Sequence, residues 1–356
     1  LSEIYYVYPM YRNVSFTMIA EQHIAQLSKR VKIQRIPEDA LDDIMWIMPR
    51  NILLHPILYM TMGDRADMLT VRQRRLSKLL KVKGAFGGFE TADSDRISEV
   101  AVETLNQLDV VFLPSQFAID SFKSSGVKVP IHKIPHGLSE AMLSPSKAID
   151  FGPIQNILDM KQRDHATLIL YFVTHSEYRK GLDIVAEAMS FVQYRHRDVR
   201  LVVKCGNIPE RLKGLKTVHV PYWLDDNQLR QLYDVCDMVI VPSRGGGFEL
   251  NALEGIARGL PTLVPDAGCF LDYIKFTIPL TITATPRVLP DNPIHIGNGW
   301  ETNADHLSNA IDLTLSRLDA WKEKFQAYAE KVKKDYTWQA ICENLFNLLV
   351  KYRFCG

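Results

Sequence analysis

Short apolar runs alternate with helix-length amphipathic segments twice along this chain, and few folds accommodate that order. In the first half, IYYVYP (4–9), VKIQRI (31–36), NILLH (51–55), VKGAF (82–86), DVVFLPS (109–115) and IHKIPHG (131–137) read as strands. Between them, SFTMIAEQHIAQLSKR (15–30), DMLTVRQRRLSKLL (67–80), SDRISEVAVETLNQL (94–108) and QFAIDSFKSSG (116–126) read as helices. The first carries Phe16, Ile19, Ala20, Ile24 and Leu27 on one face, and the third is capped by Ser94. The order restarts with strands TLILYFV (167–173), VRLVVKC (199–205), TVHVPYW (217–223), DMVIVPS (237–243) and PTLVPD (261–266). Helices KGLDIVAEAMSFV (180–192) and DDNQLRQLYDVC (225–236), and one beginning near Glu249 or Leu250, separate them. Strands apolar throughout are buried on both faces, which implies parallel sheets covered by helices. The expected fold is therefore α/β, with two doubly wound Rossmann-like domains at 1–150 and 165–335. An aperiodic connection at 138–165 contains Pro145, Gly152 and Pro153, and a late helix lies within 336–356.

The totals exclude several classes. Net charge is +1, so no whole-molecule field draws the chain to nucleic acid, and none is expected as a partner. No run approaches the ~18 apolar residues of a spanning helix. The opening LSEIYYVYPMYRN lacks the basic region and apolar stretch of a secretory leader. Cys205, Cys236, Cys269, Cys342 and Cys355 are odd in number and scattered, which favours reduced thiols and argues against a zinc site. Together these features point to a cytoplasmic protein.

Three consecutive glycines, Gly245 to Gly247, interrupt VPSRGGGFELNALEGIARGLPTLVPD (241–266) between a strand and a helix. Ligands of open α/β sheets bind at the carboxyl ends of strands, where this loop lies. The first N–H groups of the following helix lack intrahelical partners and favour an anion. Glycines let a ligand approach those donors without an intervening Cβ. Glu254 stands about one turn inside the helix and leans back toward the loop, within reach of a ribose diol. A tight turn with a solvated Glu254 is the alternative. Neither a P-loop nor a G-x-G-x-x-G occurs here, which argues against Walker-type kinases and NAD-dependent oxidoreductases.

The segment PSRGGGFELNALEGIARGLPTLV resembles the donor-binding segment of retaining GT-B glycosyltransferases of family GT4, where the pattern is roughly P-S-x-x-E-G-F-G-x-x-x-x-E-A-x-A-x-G-x-P. YRKGLDIVAEAM (178–189), DDNQLRQLYDVCDMVIVPS (225–243), DVVFLPSQFAIDSFKSSGV and KIPHGL (133–138) match further family segments in order. The likeness covers about 105–270 well and the first 100 residues poorly. It implies that the amides of Gly246, Gly247, Phe248, Glu249, Leu250 and Asn251 hold donor sugar and diphosphate, and that Glu254 binds the ribose. It implies that Lys180, beside Arg179, binds donor phosphate and acts in catalysis, that Tyr222 or Trp223 meets the base, and that Thr174 lies in the donor site. Core packing is an equal reading for Trp223. It further implies that the helix at 336–356 crosses back to the first domain. The sequence departs from the pattern twice. The first glutamate of the family's E-x7-E pair falls on Gly246, and an arginine six positions before the lysine falls on Thr174; Arg179 or His175 would have to substitute.

Across the implied cleft, GAFGGFETADSDR (84–96) is the candidate acceptor segment, with Glu90 as a carboxylate able to take a hydroxyl proton. Asp93 and Asp95 there read equally as helix caps. His136 either orients the donor sugar or shapes a turn. VRQRRLSKLLKVK (71–83) is a basic amphipathic stretch, read either as a solvated helix face or as a peripheral contact with an anionic membrane on the cytoplasmic side. The resemblance as a whole implies an EC 2.4 type hexosyltransferase. It would move a sugar from a nucleotide diphosphate sugar, UDP- or GDP-linked, to a hydroxyl acceptor on a glycan, lipid or glycolipid. Retention of configuration, no metal and no cofactor are expected. The alternatives are a GT-B epimerase or phosphorylase, a nucleotide-sugar binder without turnover, and a membrane- or nucleic-acid-binding protein acting through 71–83.

Overall fold

The computed structural model describes residues 3–41, 50–63, 69–174 and 176–356, without the side chains of residues 69, 71, 72, 82 and 83. His175, and the side chains of Arg72 and Lys83, thus lie outside the described part. The chain divides into two units, Leu1–Gly137 with Leu289–Asn298 and Tyr336–Gly356, and Leu138–Val288 with Gly299–Asp335.

The first unit is built on a six-stranded sheet of β1 (Glu3–Tyr8), β2 (Lys32–Pro37), β3 (Arg50–Leu54), β4 (Lys83–Phe89), β5 (Val110–Leu113) and β6 (Ile131–Lys133). Their order is β2-β1-β3-β4-β5-β6 and every pairing is parallel. β1 is buried along nearly its whole length, as a strand covered on both faces must be. Helix Ser15–Leu27 packs Ile19, Ala20, Ile24 and Leu27 onto one face. The same core takes Trp338, Ile341, Leu345 and Leu349 from the late helix Trp338–Lys351, so the end of the chain completes the first unit.

One local reading differs from the sequence expectation here. The helix near residue 99 runs Glu99–Leu105 and is capped by Ser98, whose side chain accepts the Ala101 N–H. Ser94 and Asp95 instead hold the returning segment: Ser94 Oγ accepts the Gly297 N–H and Asp95 Oδ1 the Asn298 N–H. A contact about 200 residues distant in sequence outweighs the local capping preference, and no short-range pattern announces it. The basic helix Leu69–Val82 turns Leu76 and Leu79 into the core. Its apolar side is thus occupied, and Arg74, Lys78 and Lys81 remain at the surface.

The second unit carries β7 (Thr167–Phe172), β8 (Val199–Lys204), β9 (Thr217–Val220), β10 (Met238–Ile240), β11 (Thr262–Pro265) and β12 (Ile278–Leu280). The order is β12-β11-β10-β7-β8-β9, again parallel throughout. The stretch 138–165, read as an aperiodic connection, contains the short helix Glu140–Leu143 and the longer helix Gly152–Asp164, and both belong to this unit. The N-cap of the longer helix, Phe151, makes no side-chain cap, Pro153 stands in its first turn, and Ile154 and Ile157 supply its buried side. All five cysteines are buried. Among the described residues no helix is long and apolar enough to cross a membrane.

Candidate active site

The second unit's sheet is laid down outward from β7, with β8 and β9 on one side and β10, β11 and β12 on the other. The order therefore reverses between β7 and β10, and such a switch point opens a crevice at the strands' carboxyl ends. The two loops that border it are the one after β7, which ends in Arg179-Lys180-Gly181, and the glycine loop after β10. They are stitched together by the Arg244 N–H donating to Arg179 O (2.7 Å) and by Arg179 Nη1 donating to Gly245 O (2.9 Å). Arg244 adds a buried clamp: Nη1 donates to Tyr178 O, the guanidinium pairs with both Asp183 oxygens at 2.7 Å and with Glu301, and it stacks 4.0 Å over the Tyr178 ring. Gly181 permits this closeness. Its φ is +72° and an added Cβ would lie 2.3 Å from Pro242 O. Gly181→Ala is expected to destabilise the chain by about 3 kcal/mol, with left-handed strain adding to the clash, as a denaturant titration would read.

Helix Leu250–Ala257 starts from this loop, with Glu249 as N-cap at φ +59°. The cap's own side chain turns back. Lys180 Nζ donates to Oε1 and Oε2 of Glu249, both at 2.7 Å, and Arg179 Nη1 stands 3.9 Å from Oε1. An added Cβ on Gly246 would fall 2.6 Å from that same Oε1. Tyr273 fixes the turn from below, its hydroxyl 2.7 Å from Phe248 O and 3.1 Å from Glu249 O. Gly246, Gly247 and Phe248 are buried, and Leu250 and Asn251 half-buried. Thr174 is exposed at the end of β7.

One turn along the helix, Glu254 is buried and accepts a hydrogen bond from the Tyr233 hydroxyl (2.8 Å), which also lies 3.0 Å from Asn251 O. Burial pushes the Glu254 carboxyl up to about 8, with the Tyr233 bond opposing and Asp226 adding to the rise. A solvated Glu254 is thereby ruled out. A carboxyl whose folded pKa exceeds its unfolded value stabilises fully below the unfolded value and loses that contribution as pH rises through about 8. Glu254→Gln should therefore flatten the fall in melting temperature between about pH 4.5 and about pH 8, which a thermal-melt series in pH would show.

Tyr222 and Trp223 are both about half exposed, at 47% and 53%, so core packing does not explain Trp223. Tyr222 lines a hollow between helix Gly152–Asp164 and β9, with Phe151 edge-on at 6.2 Å.

In the first unit, Glu90 follows β4. It is buried and accepts the N–H of Leu58 (2.6 Å) and of Thr91 (2.9 Å). Burial raises its carboxyl to about 7 against those two bonds, with Asp93 pushing in the same direction. Nearby chemistry is aromatic and neutral. The Tyr6 hydroxyl bridges Nδ1 of His23 (2.9 Å) and of His55 (2.8 Å), and Phe89 packs against both imidazoles. Burial lowers His136 and His23 each to about 3. His136 is therefore a neutral imidazole at physiological pH. The next residue, Gly137, lies so close to Trp338 that an added Cβ would be 2.7 Å from its ring.

The structure thus places Arg179, Lys180, Gly246, Gly247, Phe248, Glu249, Leu250, Asn251 and Glu254 on the two loops at the switch point of the second unit and on the helix that follows. Glu90 and His136 belong to the first unit. Sequence reasoning missed Arg244, Asp183, Tyr233 and Tyr273, which hold the loops and the carboxyl in place. Arg244 was visible inside the glycine segment, but its partners lie tens of residues away in sequence. Among the described residues no group of three or more His, Cys, Asp or Glu side chains could hold a metal ion.

Comparison with known proteins agrees with this architecture. Uncharacterized protein 356 of Sulfolobus islandicus rod-shaped virus 1 is 28% identical over 357 residues, 98% of this chain and 98% of that protein. Putative glycosyltransferase 45 of Sulfolobus islandicus filamentous virus (isolate Iceland/Hveragerdi) is 31% identical over 244 residues, 66% of this chain and 65% of that protein. Anabaena Alr3699/HepE, solved in complex with UDP and glucose, superposes with a TM-score of 0.69 at 11% identity, over 99% of this chain and 100% of that one. Sucrose-phosphate synthase from Thermosynechococcus elongatus gives 0.70 at 14% identity, over 99% of each chain. Such low identities speak for the fold alone, and that fold is the α/β GT-B type. A family model described as Family 4 Glycosyltransferase in conflict systems matches residues 138–345, more than half of the chain. The glycine loop, its helix and Lys180 all fall within that match, and the chain accordingly belongs to the family 4 glycosyltransferases of conflict systems: it is a glycosyltransferase.

Proposed function

We propose that this glycosyltransferase takes its sugar from a nucleoside diphosphate sugar, UDP- or GDP-linked, and passes it to a hydroxyl acceptor with retention of configuration. The observation that carries this reading is Lys180, held at the amino end of helix Leu250–Ala257 on the two loops that border the switch point. A cation beside a glycine loop and a helix amino end favours a diphosphate. The preference strengthens as the sugar departs and charge grows on the leaving oxygen, which is the condition for lowering a barrier. Lys180, Arg179 and the amides at 246–251 would meet that charge, Glu254 the ribose diol, and Tyr222 the base. Glu90 would take the acceptor hydroxyl's proton, and neutral His136 would orient the transferred sugar.

A thermal-shift panel of UDP, GDP and ADP and their sugars tests the donor reading, since a ligand that binds only the folded state raises the melting temperature. One nucleoside diphosphate should stand out, with the shift greatly reduced in Glu254→Ala. A panel with no shift for any nucleotide would refute the donor assignment. The anomeric configuration of the product, read by NMR, tests retention.

A further inference from the structure

Position 249 is an expensive place for a glutamate. The residue caps a helix in the left-handed region at φ +59°, which costs a residue with a Cβ roughly 1 kcal/mol that glycine avoids. Its carboxylate also sits at a helix end that otherwise attracts anions, and it would repel a diphosphate. Both penalties vanish with glycine, which the family pattern P-S-x-x-E-G-F-G has at this position. The same pattern has glutamate at 246, where this chain has glycine. The two residues are exchanged.

The geometry gives the exchange a purpose. Glu249 folds back over the turn until Oε1 lies 2.6 Å from where a Cβ of residue 246 would stand, with Cγ and Cδ 3.2 Å from that point. Its carboxylate fills the space a side chain at 246 would enter, and only glycine at 246 leaves that space open. Lys180 then neutralises it with two 2.7 Å contacts. A carboxylate offers about four acceptor sites and an ammonium three donors, so each partner keeps capacity for a ligand.

We propose that Glu249 is the specificity-determining carboxylate of the donor site. Delivered from the helix cap and neutralised there by Lys180, it receives hydroxyls of the donor sugar. Gly246 and Glu249 then form one exchangeable unit: the carboxylate is needed, and the backbone position that supplies it is free to change. This rests on the nucleotide-sugar reading given above.

The test is an exchange of residues in the whole chain. Wild type, Glu249→Gly, Glu249→Gln and the double variant Gly246→Glu/Glu249→Gly are titrated with the nucleoside diphosphate that shifts the wild type and with its hexose conjugates. Glu249→Gly and Glu249→Gln should each lose at least about tenfold in affinity for the sugar conjugate, the loss typical of a charge-assisted hydrogen bond. Each should keep binding the bare diphosphate within about threefold, and the double variant should regain the conjugate to within about threefold. Should the double variant bind the conjugate no better than Glu249→Gly, or should Glu249→Gln match the wild type, Glu249 is only a structural cap and the proposal fails. Wild type that binds no nucleotide at all would overturn the donor reading itself, a result distinct from failed exchange, and this proposal with it.

Discussion

Lys180→Ala is expected to lower turnover by roughly a thousandfold, the effect of removing one preorganised charge from a developing anion (about 4 kcal/mol). The loss has two sources. The leaving diphosphate loses its cation, and Glu249, with only 3% of its side chain exposed, loses the ammonium 2.7 Å away and keeps only the more distant Arg179, 3.9 Å from Oε1, as a counter-charge. Removing one partner of a buried pair costs about 3–5 kcal/mol of stability, so the single variant should also melt earlier. Lys180→Ala/Glu249→Gln separates the two effects. It should recover most of the stability, because the poorly compensated carboxylate is gone, and none of the turnover. Calorimetry on the unliganded chain and single-turnover kinetics with donor and acceptor make the comparison. Equal turnover for Lys180→Ala and wild type would remove Lys180 from the chemistry.

Glu90→Gln should reduce turnover by roughly a hundredfold to a thousandfold while leaving donor affinity near its original value. The carboxyl is raised to about 7 by burial, so wild-type turnover should climb with pH through that value as the base ionises. The glutamine variant should lack that limb. Stability runs the other way: a raised carboxyl contributes fully below its unfolded value and loses that contribution as pH rises through about 7. Activity and melting temperature are thus expected to move in opposite directions over the same pH range, and in Glu90→Gln neither should retain its slope there. The amide oxygen can still accept from Leu58, so folding should survive the change.

The fold was legible because it rests on local pattern. Apolar runs such as IYYVYP and DMVIVPS must be buried on both faces, and alternation with helices leaves the parallel doubly wound sheet as the economical solution. The glycine loop and Glu254 stand out in the sequence for a related reason, since they lie at a strand end, where open α/β sheets expose backbone to ligands, whereas Lys180 stands out only through the family resemblance. What could not be read was anything set by distant partners. Ser94 carries a good capping side chain, yet it bonds Gly297, and only the folded chain brings those two together. Helix Gly152–Asp164 starts without a capping side chain, and its stretch therefore reads as a connection. The sequence comparison registered the missing carboxylate at 246 as a loss. That Glu249 returns to the same space depends on one positive φ angle, which no periodicity reveals.

The first unit takes Trp338, Leu345, Leu349 and Phe354 from the final stretch of the chain, and Asn51 donates its side-chain N–H to Phe354 O at 2.9 Å. A ribosome making this protein therefore emits the opening strands long before the residues that cover them, and it completes the second sheet, from β7 to β12, in the meantime. The half that is begun first is finished last. Nascent chains stalled before residue 336 should present a protease with a resistant second half and a digestible first one.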